Sequence, residues 1–335
     1  MFPWIGHGHV FPYLELAKNL SAHNFDIFFC STAVNLSSIT DVLANTSSSV
    51  SIQLVELHLP SSPELPPCRH TTKNAPPRLL PKLHQAFQMS ISSFSDIITS
   101  LNPDMLIYDG FQPWAAKIAS SLGIPAVHFA TSGAAPYSFY FHSFMSATSA
   151  FPYEEIYLRD YERKAYEAMV FSDLGVKKND LDSAIGHFTL SCDVVLMKTC
   201  RAVEGKYMDY LSVLCKKKLV PVGPLVAHAN SEEGKHGEIM EWLIVAMPLK
   251  LDQPFNARLV VEASVGIEVE RDENGGFSGA DVADVINKVV VEETGEDMRL
   301  KAAELSEKMK IEEEDAMNDA ADQLRRLCME HKQQK

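Results

Sequence analysis

Two histidines stand in a glycine-containing segment near the start of the chain, Gly6 to Pro12, with the sequence G-H-G-H-V-F-P. The segment lies between a short apolar run and an amphipathic helical pattern, and open α/β sheets bind ligands at such strand ends. His9 is the candidate general base, because an imidazole titrates near neutral pH. A loop histidine or a residue at a helix N-terminus is the alternative interpretation.

A single carboxylate, Asp109, follows the apolar strand pattern M-L-I-Y and precedes Gly110. A carboxylate at a strand end can hydrogen-bond a histidine, fix its tautomer and stabilise its cation. Taken alone, Asp109 is better explained as the N-cap of a helix that starts near Pro113. Because His9 and Asp109 are both predicted at the same sheet edge, the two together suggest a catalytic dyad.

A third polar cluster, L-D-Q-P-F-N-A-R, spans Leu251 to Arg258 and follows the apolar run I-V-A-M. Asp252 and Gln253 have planar groups that form directional hydrogen bonds with vicinal sugar hydroxyls. On chemistry alone, an ordinary helix start capped by Asp252 explains the cluster better.

The elements that would position these residues alternate between strand-like and helix-like segments in the first half of the chain. The strand-like runs are Phe25 to Cys30, Ser51 to Leu59, Met105 to Tyr108 and Ala126 to Ala130. The helical patterns are Pro12 to Leu20, Leu79 to Leu101 and Trp114 to Leu122. This alternation predicts an α/β fold with a parallel sheet wrapped by helices.

The second half of the chain is poor in strand patterns. It begins with strands over Asp193 to Met197 and Leu219 to Val222, and with a helix over Val203 to Leu214. A polar segment over 227–237 then predicts a linker or a loop. The strand-like run Ile244 to Met247 follows a helical pattern without a turn, although several connecting residues are usual. The remaining predicted helices are Asn256 to Ala263, Gly279 to Glu292, Asp297 to Met309 and Glu314 to Cys328.

The composition excludes several classes of function. With 44 acidic and 30 basic residues, the 335-residue chain has a formal net charge of -14, which argues against nucleic acid and against an anionic membrane surface. The N-terminus lacks the features of a signal peptide, and no apolar run is long enough to span a membrane. The six cysteines form no C-x-x-C pair, so we expect no zinc site, a reducing compartment and a cytoplasmic protein.

Together these segments resemble the plant family 1 UDP-glycosyltransferases. The opening MFPWIGHGHVFPYLELAKNL is similar to the family's first strand, catalytic loop and first helix. The later segments that resemble the family are IYDGFQPWA, HFATSGAAPYSF, EGKYMDYLSVLCKKKLVPVGPL and IVAMPLKLDQPFNARLV. The sequences of these segments most resemble those of the subgroup that adds a sugar to the sugar of an existing glycoside.

The resemblance implies a role for each matching residue. His9 falls at the position of the family's catalytic histidine, and Asp109 at that of its partner aspartate. Thr131 falls where relatives can contact the donor sugar, and Asp252 and Gln253 at the pair that binds that sugar. Aromatic residues are weaker candidates for the acceptor pocket, with core packing as the alternative for each: Phe111, Trp114, Phe129, Tyr137 and Phe141.

The implied reaction is inverting transfer of a sugar, by default glucose, from a UDP-sugar to a hydroxyl of a small-molecule glycoside such as a flavonoid or terpenoid glycoside. The UDP-sugar is a co-substrate, and neither a cofactor nor a metal is expected. The expected partners are the glycoside acceptor and the UDP-sugar. We expect a cytoplasmic monomer that neither binds nucleic acid nor inserts stably into a membrane.

The chain departs from the family pattern between Leu243 and Ile244, where the resemblance implies that a large part of the donor-binding signature is absent. The expected fold is therefore GT-B-like and α/β. It has an acceptor-binding Rossmann-like domain over 1–222, a linker and the start of the second domain over 223–243, and an incomplete donor-binding domain with terminal helices over 244–335. The alternative function is that of a truncated, catalytically impaired member that at most binds acceptor.

Overall fold

The structure is a computed structural model, and it describes residues 1–44, 50–145, 149–168, 181–225, 244–272 and 275–333. Most of the predicted segment 223–243, including Leu243 of the predicted junction, lies outside these residues. The strands are β1 (Ile27–Ser31), β2 (Ile52–Glu56), β3 (Leu106–Tyr108), β4 (Ala126–Ala130), β5 (Val194–Met197), β6 (Lys218–Pro221), β7 (Ile244–Ala246) and β8 (Gly266–Glu268).

The helices alternate with these strands along most of the chain. They are α1 (His7–Ala22), α2 (Ala33–Ala44), α3 (Leu80–Gln88), α4 (Ile91–Leu101), α5 (Pro113–Ser121), α6 (Ala134–Met145), α7 (Asp160–Ala168), α8 (Leu181–Thr189), α9 (Arg201–Cys215), α10 (Gln253–Glu262), α11 (Gly279–Val290) and α12 (Glu293–Gln333). No helix among the described residues combines the length and apolar character needed to cross a bilayer.

The first lobe is built on parallel strands, as the alternating pattern predicts. Strands β3, β4, β5 and β6 pair in that order, and β1 pairs with β2, all in parallel. The first two residues connect the two groups of strands: the Phe2 amide donates to the Ile107 carbonyl at 2.8 Å, and the Met1 carbonyl accepts from the Cys30 amide at 2.9 Å. The result is one continuous parallel array with helices on both faces, which explains why its central strands are uninterrupted apolar runs.

Two helix predictions need correction. The pattern from Leu79 to Leu101 forms two α-helices rather than one, because the backbone leaves helical geometry at Ser90, where φ is -83° and ψ is 8°. The Ser90 hydroxyl donates to the Phe87 carbonyl at 2.7 Å at this break. The two helices predicted between Asp297 and Cys328 are instead parts of α12. The residues that would separate them, at 310–313, include neither glycine nor proline, so nothing stops the helix there.

The second lobe is small within the described ranges 244–272 and 275–333, where β7 and β8 form a two-stranded parallel sheet beside α10 and α11. The C-terminal half of α12 leaves this lobe and packs on the first one. Met317, Ala320, Leu324 and Leu327 are buried in the same core as α1 and β1. The expected incomplete second domain is therefore what the structure shows.

A buried ion network joins the two lobes. Arg258 of α10, with a side chain only 3% exposed, donates through Nη2 to both carboxylate oxygens of Glu162 at 3.0 and 2.8 Å. Its Nη1 lies 3.3 Å from Oε1 of Glu268, and Arg159 donates to the same oxygen at 2.7 Å. Two cations and two carboxylates thus neutralise one another between α7, α10 and β8.

Replacing Arg258 by Met is expected to lower the free energy of unfolding by about 3–5 kcal/mol, because it leaves two buried carboxylates with only Arg159 between them. Urea denaturation measures this loss. The control is Arg326→Met, which removes an exposed cation 3.7 Å from Glu330 and should change stability by less than about 1 kcal/mol. Equal effects of the two substitutions would show that the network does not stabilise the lobe contact.

Candidate active site

His9 lies in the first turn of α1, because the helix begins at His7 rather than near Pro12 as the sequence pattern predicted. Gly6 precedes the helix in an extended conformation, and a side chain there would crowd its neighbours. A Cβ at Gly6 would lie 3.1 Å from Trp4 and 3.2 Å from the Thr72 hydroxyl oxygen. The segment that leads into α1 therefore has little room for a larger residue at position 6.

The predicted dyad is present in the structure. Asp109 follows β3, and its Oδ2 lies 2.7 Å from Nδ1 of His9. The aspartate side chain is 3% exposed and the histidine side chain 25% exposed. Because an ionised carboxylate only accepts hydrogen bonds, Nδ1 is the donor, and in the neutral imidazole Nε2 is then the nitrogen that can act as a base.

The environment of Asp109 keeps it ionised. Burial alone would raise the pKa of this carboxyl, but the attraction and hydrogen bond of His9 and the backbone amide of Phe111, 3.1 Å from Oδ1, bring its pKa below the ordinary value. Two further histidines stand close by, and burial lowers the pKa of His128 to about 4 and that of His187 to about 3. Both are neutral at physiological pH, so neither provides a competing cation for Asp109.

The loop between β4 and α6 connects the dyad with the second lobe. Its Thr131 places Oγ1 3.1 Å from Nδ1 of His9, and the next residue, Ser132, donates to Oδ2 of Asp252 at 2.6 Å. Asp252 makes no capping hydrogen bond with α10, so the local capping interpretation is wrong for its side chain. Adjacent residues of this loop therefore contact His9 in the first lobe and Asp252 in the second.

Gln253, the partner of Asp252 in the predicted sugar-binding pair, is partly engaged elsewhere. Its Oε1 accepts from the backbone amides of Leu249 at 2.8 Å and Lys250 at 3.2 Å. These bonds hold the turn that precedes α10.

A cleft of about 430 Å³ opens between the lobes next to this loop. Its polar lining consists of Thr131, Ser132, Lys198, Glu204, Asp252 and Asn256. The volume is within the range of small-molecule sites. Sequence reasoning missed Ser132, Lys198, Glu204 and Asn256; the signal for Lys198 was a cation placed immediately after a buried strand pattern.

Glu204 fixes one wall of the cleft from inside the protein. Its carboxylate accepts from the Ala135 amide at 2.8 Å and from the Thr199 hydroxyl. Burial raises the pKa of this carboxyl, and the hydrogen bonds oppose that rise. A negative group at the N-terminus of α6 is favourable because the helix amides and dipole point toward it.

The aromatic candidates for the acceptor pocket divide into two groups. Phe129 and Phe141 are wrong as pocket residues, because β4 is buried along its length and Phe141 lies on the buried face of α6; both are fully buried. Trp114 packs in the aromatic core, 5.5 Å from the Phe94 ring. Phe111, Trp114 and Tyr137 are partly exposed, and the Phe111 ring lies 5.2 Å from that of His9.

Comparison with known proteins identifies the family. The model for the glycosyltransferase N-terminal domain matches residues 1–227. The chain is 37% identical to mogroside IIIx synthase of Siraitia grosvenorii, over 95% of each chain. The chain belongs to the plant UDP-glycosyltransferase family. Members of this family transfer a sugar from a UDP-sugar to an acceptor, which is the activity expected from the resemblance.

Further relatives support this assignment and the fold. The chain is 31% identical to the beta-D-glucosyl crocetin beta-1,6-glucosyltransferase of Gardenia jasminoides, over 98% of this chain and 99% of that protein. Glycyrrhiza uralensis UGT73P12, solved with glycyrrhetinic acid 3-O-monoglucuronide, superposes with a TM-score of 0.78 at 17% identity and covers 98% of this chain and 96% of that one. The fold of this UDP-glycosyltransferase is thus GT-B.

The same comparisons show an internal length difference. The match to mogroside IIIx synthase runs over 435 aligned positions, whereas this UDP-glycosyltransferase has 335 residues. At least 100 positions of that alignment therefore pair a residue of the relative with a gap in this chain.

Asp109→Asn is expected to lower the free energy of unfolding at pH 7 by about 1–3 kcal/mol, because a buried charge-assisted hydrogen bond is lost. The folded-state pKa of Asp109 lies below its ordinary value, so this stabilisation is present above about pH 4 and is lost as the pH falls further. Urea denaturation at pH 7 and pH 3 should show the difference between wild type and variant shrinking in acid.

The control for this experiment is Asp96→Asn, which changes an exposed carboxylate on α4 and should leave stability unchanged at both pH values. A difference between wild type and Asp109→Asn that is the same at pH 7 and pH 3 would contradict the argument.

Proposed function

We propose that this chain transfers a sugar from a UDP-sugar to a hydroxyl group of a small-molecule glycoside, with inversion at the anomeric carbon. The observation that carries the proposal is the His9–Asp109 pair, 2.7 Å apart. The loop after β4 contacts both this pair, through Thr131, and Asp252, through Ser132. In this mechanism Nε2 of His9 takes the proton of the acceptor hydroxyl as its oxygen attacks the anomeric carbon. The bond from that carbon to the phosphate oxygen breaks on the opposite face, and its electron pair leaves with UDP.

The proposed roles of the residues are those that the resemblance to the family implies. Asp109 orients the His9 ring and stabilises the imidazolium that forms when the proton arrives. Asp252 and Gln253 bind hydroxyls of the donor sugar, and Thr131 contacts the same sugar from the first lobe. Phe111 then provides an apolar wall for the acceptor next to the base, and Tyr137 a second one.

The substrates are proposed from the relatives. Glucose is the proposed donor sugar, and a flavonoid or terpenoid glycoside is the proposed acceptor. The name of the Gardenia jasminoides relative, a beta-D-glucosyl crocetin beta-1,6-glucosyltransferase, describes a protein that acts on a glucosylated small molecule. That relative matches nearly the whole length of this chain, which supports the same acceptor class here.

We further propose that the protein works as a cytoplasmic monomer without metal or cofactor and without nucleic-acid or membrane partners. The formal net charge of -14 supports the absence of polyanionic partners. The proposed division is an acceptor domain over 1–222, a connecting segment over 223–243 and a reduced donor domain over 244–335.

The alternative is a truncated member that at most binds acceptor. Family membership favours the transferase, while the length difference of at least 100 aligned positions weakens the donor side. We place the missing block between Leu243 and Ile244, where the resemblance puts the family's uracil and phosphate contacts. We therefore propose a transferase in which His9 is in place as the general base but the affinity for UDP is low.

His9→Ala is expected to reduce transfer from UDP-glucose to a flavonoid or terpenoid glycoside by a factor of about 10²–10⁴, because the general base is removed. Product formation at high donor concentration, with EDTA present throughout, measures this effect. The matched control is His7→Ala, two residues away in the same helical turn with its ring against Phe11, which should retain most of the turnover. Transfer that is absent from the wild type at every donor concentration would favour the acceptor-binding alternative.

Inserting the additional block of mogroside IIIx synthase between Leu243 and Ile244 is expected to lower the Kd for UDP by about 100-fold or more. Each charge-assisted phosphate hydrogen bond contributes roughly 1.5–3 kcal/mol, so two regained bonds are sufficient. Calorimetry measures the change, and a flexible Gly/Ser insert of the same length is the control. Equal UDP affinity of the two insertion variants would contradict the placement of the missing block.

A further inference from the structure

Lys198 is a cation with unused hydrogen-bonding capacity inside the cleft. It follows β5 directly, and its backbone amide donates to the Ala130 carbonyl at 2.9 Å, so it stands beside the residue that precedes Thr131. Its half-buried side chain lines the cleft. Among the described residues, no carboxylate lies within ion-pair distance of its ammonium group, and no side-chain acceptor is bonded to it.

The carboxylates of the cleft are already occupied by other donors. Asp252 accepts from the Ser132 hydroxyl at 2.6 Å. Glu204 accepts from the Ala135 amide at 2.8 Å and from the Thr199 hydroxyl. Burial lowers the pKa of Lys198, and the nearby charge of Asp252 opposes this only in part. The ammonium group is therefore partly desolvated without a full counter-charge.

Within the described part of the chain, Lys198 is the one cationic residue in the lining of this cleft. A partly desolvated ammonium group with free donors is suited to an oxyanion, and lysine is a common phosphate ligand. The neighbouring Asp252 and Asn256 offer hydrogen bonds to sugar hydroxyls. A ligand that combines hydroxyls with an anionic group thus matches the cleft better than a neutral sugar.

We propose that Lys198 binds the diphosphate of the sugar nucleotide and stabilises the negative charge that develops on UDP as it leaves. This inference rests on the proposed function and adds to it the residue that compensates the leaving group. An ammonium group positioned before the reaction stabilises such charge more effectively than water, because it does not have to reorganise. A phosphate ligand in the first lobe matters more in this chain, because the block that we propose to be missing carries the family's other phosphate contacts.

A purely structural role makes a different prediction. If Lys198 only balanced the charge of Asp252, its replacement would lower stability and leave ligand affinity unchanged. Lys198→Met keeps the length of the side chain and removes the charge, while Lys198→Arg keeps the charge. The comparison of these two variants therefore separates ligand binding from packing.

The experiment is calorimetric titration of wild type and variants with UDP, inorganic diphosphate, UDP-glucose, UDP-glucuronate and uridine. Lys198→Met is expected to raise the Kd for UDP, diphosphate and both UDP-sugars by about 10- to 100-fold, as for loss of one charge-assisted hydrogen bond, and to leave any binding of uridine unchanged. Lys198→Arg should stay within about threefold of wild type. The control Lys117→Met, at an exposed position of α5, should match wild type.

Three outcomes would overturn the inference: unchanged UDP affinity in Lys198→Met, no binding of UDP or diphosphate by the wild type even at millimolar concentrations, or a loss confined to UDP-glucuronate. The last result would assign Lys198 to the carboxylate of the sugar instead. Transfer is measured separately. If UDP binding depends on Lys198 but no transfer depends on His9, the diphosphate-binding part of the inference stands and the proposed function fails. If transfer depends on His9 but UDP binding does not depend on Lys198, the proposed function stands and the inference fails.

Discussion

The site depends on one buried charge, the carboxylate of Asp109. A carboxylate removed from water has to be compensated by hydrogen bonds and an opposite charge. Here His9 and the Phe111 amide provide that compensation. The end of β3 and the first turn of α1 must therefore meet, and the chain achieves this by placing Met1 and Phe2 between β1 and β3. The pairing of the strands and the His9–Asp109 hydrogen bond thus both require residues 1 and 2 to lie between β1 and β3.

The loop after β4 connects the His9–Asp109 pair with the second lobe. Thr131 contacts His9 and Ser132 contacts Asp252, so adjacent residues connect the base with the proposed donor-sugar site. Glu204 fixes the far end of the loop through the Ala135 amide. Because this carboxylate belongs to α9, the loop is anchored at this end within the first lobe, while the hydrogen bond from Ser132 to Asp252 attaches it to the second lobe.

The sequence predicted the parts of the site that follow from local patterns. Asp109 lies directly after an apolar run and His9 lies four residues after another, and the carboxyl ends of parallel strands meet at one edge. The capping role of Asp252 failed because its partner, Ser132, is 120 residues away in the chain. Phe129 and Phe141 failed for a related reason: composition does not distinguish an aromatic ring buried in a strand or on the inner face of a helix from one in a pocket wall. In both cases the role of the side chain depends on contacts with residues that are distant in the sequence.

The small second lobe has little apolar core of its own, centred on Val269, Val285 and Val289. Its helix α10 is instead held by the first lobe, because Phe255 and Leu259 are buried in the same cluster as Phe139 of α6. The Arg258 ion network adds a polar attachment on the same helix. Asp252 immediately precedes this helix, so the first lobe determines where the proposed sugar-binding carboxylate stands. The contacts of α10 with the first lobe therefore hold the base, the loop and this carboxylate in their mutual arrangement although the second lobe is small.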